Sequence, residues 1–398
     1  MFMEIRRRKP LVFWLGIVIG ATLIVAVIIS LRPIAGTMGP DGTQWRIVPI
    51  TRTLIIQPGD ITEGAMLWRD GVPPWLIRRI KIEGPLIATT TNLGSLFSSL
   101  PNLVEITGLD YMDTSEVTSM SYMFSSVSSL ETLDLSGFDT SAVTDMCGMF
   151  AGMDSLKTLD ISGFETSSVT IMNQMFWEAS ALVILDLSGF DTSAVTTMSY
   201  MFSDANSLES LDVSSFNTSS VTNMHGMFDN VRSLKSLDLS GFDTSAVTNM
   251  HGMFYNSRSL ESLNLSSFDT SSVTSMELMF FHMSSLRSLD ISSFDTKAVN
   301  SMRWMFSETD SLENITFGAN FVSISDASFS GAFPPEKLIG AIPVKGFAFR
   351  SGPVNEYDDI LPPRQWQNQA RTVTLDSYEL WEHLRTTRDA PETWVWYA

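Results

Sequence analysis

The chain has 398 residues, 44% hydrophobic and only 17% charged, with a formal net charge of −19. That balance excludes an intrinsically disordered chain, and the acidity excludes a nucleic-acid binder, because a negative surface repels phosphate. The single cysteine, Cys147, excludes an intrachain disulfide.

In chain order, residues 1–10 form a basic tail with Arg6, Arg7, Arg8 and Lys9. Residues 11–31, LVFWLGIVIGATLIVAVIISL, are 21 uncharged and mostly apolar residues. A helix of about 20 such residues spans the hydrocarbon core, so this run predicts a transmembrane helix or signal anchor. The basic cluster favours the cytoplasmic side, which places the rest of the chain outside. A cleaved signal peptide, giving a secreted protein, is the alternative; its apolar run is usually only about 7–15 residues. Residues 32–44 read as a linker. Residues 45–88 read as an N-terminal cap, with strands at TLIIQ and IKIEG flanking a helix start at Pro73-Pro74-Trp75-Leu76-Ile77.

Residues 89–318 repeat one phrase, written LDLSGFDTSAVTDMCGMF at 133–150. Phe124, Phe150, Phe176, Phe202, Phe228, Phe254, Phe280 and Phe306 follow one another at a constant 26 residues, and an altered copy around Leu96-Phe97 lies one residue out of phase. Such regularity predicts a solenoid. The acidity is concentrated here, where 28 Asp and Glu face 7 Lys and Arg, while the rest of the chain has 16 against 18. Within a unit, Leu130, Leu133 and Leu135 alternate with polar residues as in a strand. Gly137 and Phe138-Asp139-Thr140-Ser141 turn the chain, with Thr140 or Ser141 suited to cap a helix start. Val143, Met146, Met149 and Phe150 then recur at the spacing of one face of a short helix. The expected fold is an α/β solenoid, a leucine-rich-repeat-like stack of strand–turn–short-helix units. Leu133 and Phe138 and their equivalents form buried columns, and the methionines fill the core.

Beyond the repeats, 319–350 reads as a C-terminal cap and 351–398 as a small module holding Trp366, Trp381, Trp394, Trp396 and Tyr397. Asp376 to Glu379 reads as a capping box opening a helix over 377–386, and Thr393 to Tyr397 as a closing strand.

LDLSGFDTSAVTDMCGMF and LDLSGFDTSAVTNMHGMF resemble the 26-residue repeat of BspA-like leucine-rich-repeat surface proteins of bacteria. TLIIQPG, IKIEGPLIA and residues 96–124 resemble the segment that precedes such repeats, and SYELWEHL…TWVW the module that comes after them, so the likeness covers about residues 45–398. The resemblance implies a surface protein, often an adhesin, with no particular ligand. A sortase-type LPxTG motif and a lipobox cysteine are not seen, which leaves anchoring to the N-terminal helix.

The candidate chemistry is modest. Asp134, Asp160, Asp186, Asp212, Asp238, Asn264 and Asp290 form an outward column on coils about 4.8 Å apart, a spacing at which carboxylates repel. Hydrogen bonds from Thr132, Ser136 and their equivalents would offset this, and weak Ca²⁺ binding between coils is the functional alternative. Asp139, Glu165, Asp191, Asn217, Asp243, Asp269 and Asp295 suit helix N-termini. His225, His251 and Glu277 share a column and are weak transition-metal candidates; Cys147, in the same column, reads as an exposed thiol. Catalytic motifs are lacking, and identical coils cannot give two carboxylates different environments, so no enzyme and no cofactor are expected. Specificity should lie where copies differ. Trp177, Tyr255 and Phe281 read as exposed, and one position within the helix reads Tyr122, Gly148, Gln174, Tyr200, Gly226, Gly252, Leu278, Trp304. Aromatics at such places anchor interfaces. The expected function is attachment to a host or neighbouring-cell surface protein or glycan; a structural spacer without its own ligand is the rival, and a polysaccharide-active enzyme comes last.

Overall fold

The computed structural model describes residues 34–39, 42–62 and 72–322, and the backbone alone of 365–368, 374–376 and 392–397. The apolar run 11–31 and the helix expected over 377–386 lie outside these residues. Among the described residues no helix is long and apolar enough to cross a membrane.

The chain winds as a β-solenoid of about 10 turns. It is entered through an antiparallel meander of β1 (Ile34–Thr37), β2 (Gln44–Val48) and β3 (Thr53–Ile56), so β1 falls in the stretch read as linker. After β3 the pairing turns parallel and coil succeeds coil. β3 pairs β5 (Arg79–Ile82) and β5 pairs β7 (Glu105–Thr107), setting Leu54 against Ile80 and Ile80 against Ile106. The expected strands at TLIIQ and IKIEG are thus β3 and β5, with a short 3-10 turn at Pro74–Leu76 between them. A second side of the coil opens with β4 (Gly59–Ile61), β6 (Leu86–Ala88) and β8 (Met112–Asp113), again parallel.

Along the first side, the L-x-x-L-x-L phrase supplies β9 (Thr132–Asp134), β10 (Thr158–Asp160), β11 (Ser236–Asp238), β12 (Ser262–Asn264), β13 (Ser288–Ile291) and β14 (Asn314–Phe317). Leu133 faces Leu159, Leu237 faces Leu263 and Leu289 faces Ile315, so leucine ladders form in the expected register. These strands are short; β9 pairs with β10 and β11 with β12 as two-stranded sheets, while β13 and β14 belong to a larger one. Behind them, Phe97 to Phe306 form one file of stacked rings, neighbouring centroids 5.6–6.3 Å apart, all with 0% exposure. Val143, Met146 and Met149 and their equivalents complete this core.

The expected short helix is absent, which corrects the α/β assignment. Met149 N–H closes a turn onto Met146 O (3.3 Å) and Ala151 N–H one onto Gly148 O (3.0 Å). Every second donor instead leaves the coil: Met146 N–H reaches Ile171 O (3.0 Å), Gly148 reaches Asn173 O (2.9 Å) and Phe150 reaches Met175 O (3.0 Å). Parallel bridges from Asn92 through Ser119, Asp145, Ile171, Thr197, Asn223, Asn249 and Ser275 to Ser301 mark this third side. The turns bend because one residue in four is left-handed: Tyr122, Gly148, Gln174, Tyr200, Gly226, Gly252, Leu278 and Trp304 have φ between 55° and 60°. Ser126, Gly152, Glu178, Asp204, Asn230, Asn256, His282 and Glu308, four residues further on, have φ between 56° and 69°. A short helix would satisfy its donors locally and leave neighbouring coils unjoined. An identical neighbour every 26 residues offers an acceptor to each outward donor, and the spacing of apolar residues is the same for both solutions.

Without a helix, Thr140 has nothing to cap. It is fully buried and its hydroxyl donates to Glu165 O of the next coil (2.9 Å), as Thr114, Thr166, Thr192, Thr218, Thr244 and Thr270 do for theirs. At the far end β14 pairs antiparallel with β17 (Glu392–Tyr397), which pairs with β15 (Gln365–Asn368), itself next to β16 (Thr374–Asp376). The closing strand expected at 393–397 is β17. It covers the sheet edge that the last coil would otherwise leave open.

Candidate functional site

The three sides of the coil carry different chemistry. On the first side the acidic column is tied down locally. Ser136 Oγ donates to Asp134 Oδ1 (2.7 Å) and Ser136 N–H to the same oxygen (3.0 Å). Asp160, Asp186, Asp212, Asp238, Asn264 and Asp290 each accept at least the backbone N–H of the serine two residues on. The Ser136 hydroxyl and N–H hold the Asp134 carboxyl below the ordinary carboxylate range, and the equivalent serines do so for Asp186, Asp212 and Asp238. Asp139 and its column make the same local turn, with Ser141 donating to Asp139 Oδ1 (2.6 Å), instead of meeting a helix N-terminus.

The third side is where coils differ. In the segment 120–127, Met120, Met123, Phe124 and Val127 point inward, while residues 121, 122, 125 and 126 face out; on other coils the equivalents of 125 are buried where they are small, as at Ala151, Ser203 and Ser307. These outward rows hold Tyr122, Trp177, Tyr200, Tyr255, Phe281 and Trp304, together with His225, His251 and His282. Trp304 is 41% and Tyr122 36% exposed. Arg303 lays its guanidinium over the Trp304 ring, 3.8 Å from the centroid. Trp177, Tyr255 and Phe281, read as exposed from sequence, are half-buried; Tyr255 and Phe281 stack on one another at 5.2 Å, since the same position on adjacent coils falls within ring contact. The aromatic residues and the Asp134 column therefore occupy different sides.

The Tyr122 ring lies along the solenoid over Gly148. Its hydroxyl donates to Gln174 Oε1 two coils away (2.8 Å) and accepts from Cys147 Sγ (3.3 Å). Through this contact, then burial, its pKa is pushed up to about 12. Cys147 is half-buried, not the exposed thiol expected, and burial raises its pKa. Tyr200 repeats the arrangement over Gly226, its hydroxyl sharing a hydrogen bond with His225 Nε2 (2.8 Å). His225 and His251 have ring centroids 4.6 Å apart, and burial, then His251, lower the His225 pKa. Glu277 accepts instead from Ser301 Oγ (3.2 Å). Among the described residues no three His, Cys, Asp or Glu side chains converge to hold a metal ion, so His225, His251 and Glu277 do not form the metal cluster their column suggested.

Two features had no readable signal. Asn256 Nδ2 donates to Asn230 Oδ1 (2.6 Å), and Asn230 in turn donates to Asp204, a polar file in the second left-handed column. Beside it Asp229 has a buried Oδ1 without a hydrogen-bond partner, and burial, then the Asp204 charge, pushes its pKa up to about 7. A lone Asp between Ser203 and Tyr255 in a variable column looks like any exposed residue until the coils are stacked.

A helix-poor stack with leucine and phenylalanine files and one variable side defines a repeat solenoid of leucine-rich type. Residues 91–209, 157–238 and 228–333 match the family described as "Mycoplasma protein of unknown function, DUF285", together more than half of the chain, and the chain belongs to that family. No curated protein matches it. Among solved structures it is similar to a leucine-rich-repeat protein of T. pallidum (15% identity, 63% of this chain and 91% of that one, TM-score 0.26). A leucine-rich-repeat protein of Bacteroides ovatus is also similar (14%, 72% and 87%, TM-score 0.29). So is a chain of the Drosophila Toll–Spatzle complex (15%, 69% and 44%, TM-score 0.23). At these scores no ligand, partner or activity carries over.

Proposed function

We propose that this is a BspA-like attachment protein, held in the membrane by residues 11–31 with its repeats outside the cell. Its third side binds a protein or glycan on a host or neighbouring cell. The observation that carries the reading is the segregation of variable residues. The Asp134 and Thr140 columns repeat with little change, whereas one side collects Tyr122, Tyr200, Trp304 and their neighbours, which differ from coil to coil. A repeated surface cannot discriminate between ligands, and a varied one with exposed aromatics can. A repeat solenoid with local, interchangeable carboxylate turns gives no support to catalysis.

The test is binding of the purified full-length chain to immobilised matrix proteins, mucins and glycans at low and high salt. Saturable binding that survives high salt and weakens in Trp304→Ala is expected. Binding that disappears with salt would reduce the interaction to attraction by the acidic surface, and no binding at all would make the solenoid a spacer.

A further inference from the structure

Tyr122 and Tyr200 sit at φ 55° and 57°. Left-handed backbone is disfavoured for a residue with a Cβ. Folding does not require tyrosine there, because Gly148, Gly226 and Gly252 fill the same column at φ 57–58°. Each tyrosine also depends on the glycine of the following coil. A Cβ on Gly148 would lie 2.2 Å from the Tyr122 ring, and one on Gly226 2.5 Å from the Tyr200 ring. The pair is a built unit: a ring laid along the axis across bare backbone, its hydroxyl tethered to Gln174 or His225. It occurs twice, three coils or about 14 Å apart.

The surroundings decide the ligand. A protein interface closes around a continuous apolar centre. Tyr122 is instead bordered by Cys147, Gln174 and Gly148, which hydrogen-bond or leave room, and Tyr200 by Gly226 and by the His225 ring, whose centroid lies 4.6 Å from its own and whose Nε2 meets its hydroxyl. A fixed π-face with a polar rim matches a pyranose, which offers C–H bonds on its faces and hydroxyls at its edge. The net charge of the repeats, 28 acids against 7 bases, turns away sulfated and carboxylated sugars. We propose that Tyr122 and Tyr200 are two stacking subsites for an uncharged oligosaccharide running along the solenoid. This rests on the attachment reading above and names its ligand class.

The experiment is calorimetric titration of the full-length chain with cellohexaose, chitohexaose and maltohexaose and with the corresponding disaccharides. The variants are Tyr122→Gly, Tyr200→Gly and the double substitution, which installs the residue the repeat already uses at this φ. At least one hexasaccharide should bind, each single variant should weaken it by about tenfold or more, and the double variant should abolish it at unchanged Tm. The disaccharide should bind more weakly, because it cannot reach both rings. Saturation transfer from the aromatic protons of the unaltered chain to the C–H protons of the bound sugar gives a readout that needs no variant, and its absence overturns the proposal. So does failure of all three hexasaccharides, or equal binding by the double variant. If the hexasaccharides fail while mucin or matrix-protein binding persists, the sugar assignment alone falls; if both fail, the attachment reading falls with it.

Discussion

At the scale of single residues the left-handed columns decide most. Gly148 answers two demands at once, a φ of 57° and bare backbone beneath the Tyr122 ring, which a Cβ would approach to 2.2 Å. Gly148→Val should therefore lower the unfolding free energy by about 2–3 kcal/mol in urea titration, whereas the same change at an exposed right-handed position would be nearly neutral. Asp229 makes stability depend on pH. With its pKa raised from 3.8 to about 7, the folded chain holds a proton between these values that the unfolded chain has released. Stability from this group is full below about pH 4 and lost as pH rises through about 7. Asp134, Asp139 and Asp238 act oppositely, since serine hydrogen bonds lower their pKa values; what they contribute is present above about pH 4 and lost as pH falls. Unfolding in urea should show lower stability at about pH 8 than at about pH 5.5, by on the order of 1–2 kcal/mol once the partial exposure of Asp229 is discounted. Asp229→Asn should flatten that slope, and an unchanged slope would refute the role given to this carboxyl.

The elements are held by bonds between coils more than within them. The threonine file shows this on the second side, where Thr166 Oγ1 donates to Asp191 O and accepts from Asp191 N–H, both at 2.9 Å. Thr166→Val removes a buried donor and acceptor together and should cost about 2 kcal/mol, while Thr166→Ser, which keeps the hydroxyl, should retain most of the stability in the same urea titration. Lys157–Glu131 (2.9 Å) and Arg287–Glu313 (3.3 Å) join coils on the first side, but both pairs are exposed and add little. The turn segments of the third side replaced the predicted helix for the same reason. Their N–H groups find carbonyls on the next coil, and only stacking provides those carbonyls.

Across the whole molecule each coil bonds mainly to its immediate neighbours, so stability sums along the axis and can be interrupted in the middle. Phe202 stacks between Phe176 (5.8 Å) and Phe228 (5.6 Å) with no exposure. Phe202→Ala should cost about 3–5 kcal/mol and split the thermal transition in two, as the coils on either side lose cooperation. A single sharp transition at lower temperature would mean that the coils remain coupled through the ladders alone. The ends matter equally: the β1–β3 meander and the β17 strand cover the two open edges that a stack of identical coils must have.

What the sequence by itself determined is whatever repeats. The constant spacing of Phe124 through Phe306 required a solenoid. The alternation around Leu133 set the leucine ladder, and the serine after each aspartate was enough to foresee how the Asp134 column is satisfied. Tertiary structure decided the rest, because the missing information lay between coils. Val143, Met146, Met149 and Phe150 have one apolar spacing for a helix and for two left-handed turns, and only the neighbouring carbonyls separate the two. Whether Trp177, Tyr255 and Phe281 stand free or pack, and whether Cys147 is exposed, depends on what the adjacent coil places beside them. The same holds for the column of Tyr122 and Tyr200, which reads as free variation along the chain. Only stacking lays the Tyr122 and Tyr200 rings over the next coil's glycine, at a backbone position that glycine fills on other coils.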